Sequence, residues 1–76
     1  MNDVAQQIRD RAERRKDKIE KHLIVKADLE REYSLLTEGE RKDRVGQQLL
    51  TTLLKIESHK SAYKAYNKAA DMIEQV

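Results

Sequence analysis

His22 and His59 are the only side chains in this 76-residue sequence whose ordinary pKa lies near neutrality, and there is no cysteine. Acid–base or metal chemistry would therefore have to run through these two imidazoles and the 14 carboxylates. A di-iron helical bundle needs glutamate three residues before each histidine. Ile19 and Ile56 stand at those positions. No zinc spacing, phosphate-binding loop or dinucleotide fingerprint occurs. We expect no catalytic residue, no cofactor site, no metal site and no small-molecule substrate, and so no enzyme. The histidines read as solvent-near residues of a helix seam, or more sharply as a pH-sensitive contact in an oligomer.

Basic residues form a second candidate group. From Arg9 to Lys26 there are eight basic and four acidic side chains, whereas Ala27–Arg44 holds four basic and six acidic. Arg11, Arg14, Arg15 and Lys18, with Lys60 and Lys64 brought alongside by folding, are the residues that would meet phosphates, and nucleic acid is the alternative partner they suggest. No aromatic is interleaved in 9–26. Binding there would be to backbone, non-specific and salt-sensitive. The plainer account is helix solubilisation, with Asp10–Arg14 and Asp17–Lys21 as i,i+4 pairs.

A third group is apolar. Between Val45 and Ile56 the apolar positions cover roughly half a helix circumference, more than one seam uses. Leu50 and Leu54 fall outside the stripe that Leu49, Leu53 and Ile56 occupy, Leu23 flanks the stripe of the first segment, and Ile24 and Leu35 point to its back. Ile24, Leu49, Leu50, Leu53 and Leu54 are the expected partner-binding residues. Tyr63 and Tyr66, set among Ala62, Ala65, Ala69 and Ala70, form a secondary candidate face.

Two helices must position these groups. Ala, Glu, Lys, Leu and Arg supply 39 of 76 residues, proline is absent and glycine occurs twice, a composition of long helices. Ala5, Ile8, Ala12, Arg15, Ile19, His22, Lys26, Leu29, Tyr33 and Leu36 follow 3/4 spacing, and so do Val45, Leu49, Thr52, Ile56, His59, Tyr63, Tyr66, Ala70 and Ile73. The spacing predicts helices over 3–36 and 40–75 joined by a turn at 37–39. Thr37 and Glu40 offer a capping box there, and Gly39 alternatively offers a left-handed helix end. One uninterrupted helix, or a third helix after a break near Ser58, are the competing readings.

The expected fold is thus all-α, a single domain over 1–76, an antiparallel coiled-coil-like hairpin that assembles into a four-helix bundle or docks on a larger protein. A turn at 37–39 puts residue i opposite roughly 75 minus i, with the two histidines six or seven residues apart, roughly 10 Å at helical rise. That separation would keep them from sharing a metal. The longest apolar run is Leu23-Ile24-Val25, so neither a signal peptide nor a membrane span is expected, and a cytoplasmic location is. The expected function is a regulator, adaptor or inhibitor that binds another protein or itself as a homodimer.

Overall fold

In the computed structural model, which describes residues 3–76, the chain forms two long helices, α1 (Asp3–Leu35) and α2 (Glu40–Glu74). They pack antiparallel into a rod of 57 × 14 × 12 Å. α2 runs unbroken through Ser58, so neither a third helix nor one continuous helix forms. No described helix is long and apolar enough to cross a membrane. The helices stop one residue short of the expected ends: Leu36 N–H turns back to Tyr33 O at 3.3 Å, and Gln75 N–H to Asp71 O at 3.2 Å.

The facing stripes are those of the 3/4 pattern. All nine positions of the α2 stripe are buried or half-buried, and on α1 only Tyr33 is slightly more exposed. The most buried positions are small or β-branched: Ala5, Ala12, Val45, Ile56 and Ala70, with Thr52. Alanines at the open end let the backbones approach closely. Thr52 sits in the seam without an orphaned hydroxyl, because its Oγ1 donates to Gln48 O at 2.9 Å.

The turn departs from both expected caps. Gly39 is the N-cap of α2, and no side chain caps that end. A capping box needs its threonine at the N-cap and its glutamate three residues on. Thr37 lies two residues too early, so Glu40 is the first helical residue instead. Nor is Gly39 in the left-handed helical well: its φ of 150° and ψ of −178° fall in the extended positive-φ region that is nearly exclusive to glycine. Gly39 O accepts the first intrahelical bond, from Asp43 N–H at 3.1 Å.

Cross-helix pairs correct the register as well. Arg9 meets Asp71 and Glu74, Arg15 meets His59, and a side chain at Gly46 would meet the Tyr33 ring. These centre on residue i opposite roughly 78 minus i, about three residues beyond the expected register. The i,i+4 pairs differ too. Asp10 accepts from Gln6 Nε2 at 3.0 Å, neither Asp10–Arg14 nor Asp17–Lys21 forms an ion pair among the described residues, and Lys26 pairs with Glu30.

A Cβ at Gly39 would touch nothing within 4 Å, so the strain of a side chain there is purely one of backbone conformation. Gly39→Ala is expected to lower unfolding free energy by about 1–3 kcal/mol. A synthetic chain with D-alanine at 39 should keep full stability, because its preferred backbone angles mirror those of L-residues. Urea unfolding of the three chains measures this, and equal losses for both alanines would contradict it.

Candidate functional site

Three groups of side chains stand out along the rod. At the open end Arg9 clasps α2: its Nη2 donates to Asp71 Oδ1 at 2.8 Å and to Glu74 Oε2 at 2.9 Å, and its Nε donates to Glu74 Oε1 at 3.0 Å. Hydrogen bonding from Arg9 holds the Glu74 carboxyl below the usual range, and the two acids raise the Arg9 guanidinium in turn. All three groups are solvent-accessible, so the clasp fixes the ends more than it stabilises them.

Midway along, the seam is polar. The His22 and His59 rings stack with centroids 5.4 Å apart and planes 9° from parallel. Arg15 Nη1 lies 3.0 Å from His59 Nδ1. Arginine only donates, so His59 Nδ1 accepts and the ring proton sits on Nε2. This contact overturns the expected separation of the histidines. The register offset removes part of it, and helical side chains lean toward their own N-terminus, which in an antiparallel pair tilts these two rings toward each other. Burial, then the charges of Arg15, His22, Lys18 and Lys55, push the His59 pKa down. Near the turn, Lys42 Nζ lies 4.8 Å from the Tyr33 ring centroid, and Tyr33 fills the space left by Gly46.

The two long flanks of the rod differ in chemistry. One carries three open clefts. The first is lined by Arg11, Arg14, Arg15, Lys18 and Tyr66 and encloses about 270 Å³. Val25, Leu29, Arg44, Gln47, Gln48, Thr51, Thr52 and Lys55 line the second, and the third lies beside Glu32, Glu40 and Arg41. Arg11, Arg14, Lys18 and Lys55 take part in no ion pair among the described residues. Lys60 and Lys64 do not line the basic cleft. At about 100° per residue they lie roughly 120° and 160° round α2 from Tyr66, on the other side. The expected basic cluster therefore divides.

Leucines occupy the opposite flank. Leu23 is about 200° from Val25, and Leu53 and Leu50 are turned away from Thr51, so Leu23, Leu49, Leu50 and Leu53 share one side. Leu54 continues this surface round the back of α2. Leu50 is 50% exposed, Leu54 63% and Leu23 43%, whereas Leu49 is half-buried in the seam. Ile24, 66% exposed, stands on the outer face of α1, apart from the α2 leucines. Tyr63 and Tyr66 are half-buried in the seam rather than displayed as a separate face.

Sequence reasoning missed the Arg9 clasp, the meeting of the histidines and the place of Tyr66 among arginines. Each depends on how the two helices meet, and a register of roughly 78 minus i brings the histidines nearer and Arg9 closer to the level of Asp71. Among the described residues no three His, Cys, Asp or Glu side chains gather into a set that could hold a metal ion. No protein-family model, curated protein or solved structure matches the chain.

The His59 geometry carries a pH prediction. Its folded pKa lies below the ordinary value of 6.5, so the unfolded chain takes up the proton first. The groups facing His59 from both helices are Arg15, Lys18, Lys55 and His22, all of them basic. Stability is expected to be complete above about pH 6.5 and to fall as pH drops below it toward the folded pKa. The share held by Glu74 is lost only in the carboxylate range. Urea midpoints between about pH 8 and pH 5 should decline for the wild type and stay nearly flat for His59→Gln. An unchanged slope in the variant would place the titrating group elsewhere.

Proposed function

We propose that this chain is a non-catalytic helical interaction module, a small adaptor or regulator, that pairs with a second copy of itself through its leucine flank. The observation that carries the reading is the contrast between core and surface. Half of the buried positions are alanine, with one valine, one isoleucine and one threonine. Leu23, Leu50, Leu53 and Leu54 stay exposed, by 38% at Leu53 to 63% at Leu54. Small domains without disulfides usually need assembly to become stable.

A second copy fits this surface better than a foreign protein on two counts. The leucines lie near the middle of a straight rod, so a two-fold axis through them sets the patch against itself along the whole length. Pairing of two hairpins also gives the four-helix arrangement that long amphipathic helices favour. Completing the burial of Leu50 and Leu54 would add about 1–2 kcal/mol each.

Light scattering after gel filtration tests the proposal. Wild-type protein is expected at twice the chain mass over a range of concentrations. Leu50→Asp combined with Leu54→Asp should give a single-chain mass while circular dichroism stays helical, since both side chains lie outside the seam. Ile24→Asp, on the outer face of α1, should leave the paired mass unchanged. A wild type that runs as a single chain at every concentration, or a double variant that still pairs, would overturn self-association through this flank.

A further inference from the structure

We infer that the basic flank of the rod, centred on Arg11, Arg14, Arg15 and Lys18 beside Tyr66, is a binding surface for the phosphate backbone of nucleic acid. This inference does not rest on self-pairing, because Leu23, Leu49, Leu50 and Leu53 lie on the opposite side and Leu54 on the back of α2, away from the α1 row.

Four observations carry it. First, the fold gathers one sign of charge. Along α1 from Arg11 to Val25, acids fall on the outer face or the leucine side, and the flank itself presents Arg11, Arg14, Arg15, Lys18 and Lys21. Lys55 extends this row from α2. Lys55 lines, with Arg44, the next cleft along the same flank, so the cations form a line rather than separate spots. Second, Arg11, Arg14 and Lys18 have no carboxylate partner among the described residues, while Arg9, one turn away on the other side, has two. Third, the row is arginine-rich. A guanidinium presents a planar fork that matches phosphate oxygens two at a time. Fourth, the cations repeat every three or four residues along a straight helix, about 5–6 Å apart, as a linear polyanion requires and a single free anion does not.

The partner chemistry follows from what surrounds the row. A surface that enters an anionic membrane needs a broad apolar face beside its cations. Here the apolar side chains beside the cations are Tyr66 and Ala62, with Val25 and Leu29 next to Lys55, a narrow strip, while Leu23, Leu50 and Leu53 lie on the far flank. Tyr66 reaches the arginines from α2 and lines the cleft with them. Its phenol adds a neutral donor to the charged ones. Contacts from such a row to the phosphates position the rod and carry no sequence information.

Fluorescence anisotropy with a short labelled DNA duplex, and separately with one of its strands, tests the inference. Neutralising four or five phosphates predicts a loss of affinity of about 100-fold between about 50 and 200 mM salt. Duplex and single strand differ in salt slope per contact, and preference for either supports the assignment while identifying the form. Arg11→Glu with Arg14→Glu should weaken binding by at least about tenfold and reduce the salt slope by about two. Lys60→Glu with Lys64→Glu makes the same change in net charge on the other flank and should leave the slope unchanged. The milder pair Arg11→Gln and Arg14→Gln replaces the first variant should its helicity fall. Equal losses from both flanks would overturn the site, as would absence of binding at about 50 mM salt or indifference to salt. Binding to vesicles of anionic lipid with none to either DNA would overturn the choice of partner.

Discussion

Two helices in contact can remove from water only the side chains along their line of closest approach, and every other feature of this rod follows from that constraint. A single hairpin has no third layer. Whatever the chain carries beyond one stripe per helix must face solvent or a partner. The stripe here is narrow and built of small residues at its tightest points, Ala5, Ala12 and Ala70. That choice brings the backbones close but buries little area per residue. Leu50 and Leu54 are thereby left outside, not through any local irregularity but because a two-helix seam has no place for them.

The middle of the seam shows how the same constraint shapes polar residues. Arg15 and His59 would be costly in the core of a larger domain. In a hairpin each lies at most half-buried, so the Arg15 guanidinium can hydrogen-bond the ring and still reach water. The His22 and His59 rings stack on each other across the seam. The seam tolerates the layer because the rod is thin, and the layer in turn fixes the register through a contact that a sliding pair of alanine and leucine stripes would not define. Arg9 does the same at the open end and Gly46 with Tyr33 near the turn.

Much of this was legible in the sequence because helical periodicity is a strong signal in a chain without proline. The two stripes, the helix bounds to within a residue and the exposure of Leu50, Leu54 and Ile24 all follow from counting 3.6 residues per turn. Less legible was what depends on both helices at once. The turn geometry of Gly39 is set by one backbone rotation that Thr37 and Glu40 do not reveal, and the pairing across the seam is shifted by about three residues. Such a shift hardly changes which residues are buried, since the stripes are continuous. It does change which residues touch, and so the meeting of the histidines and the arginine clasp were not legible while the core was. Lys60 and Lys64 were misassigned for a different reason: they share a level with the α1 arginines but not a side of the rod.

The division of the surface bears on how the two proposed activities would coexist. A thin rod has two flanks between its helices, and here they differ in kind, one apolar at mid-length and one cationic from the middle to the open end. Pairing of two copies through the apolar flanks would turn both cationic flanks outward, on opposite sides of a four-helix body. Each would keep its full row of arginines, and the pair would present two such rows related by the two-fold axis. Two weak backbone sites held at fixed separation bind a long polyanion far more tightly than one, because the second contact forms at high effective concentration. Charge-only contacts of the kind the Arg11–Lys18 row can make are weak singly and salt-sensitive. The leucine surface would thus contribute to the basic surface without touching its ligand, by doubling the number of rows that one polyanion can meet.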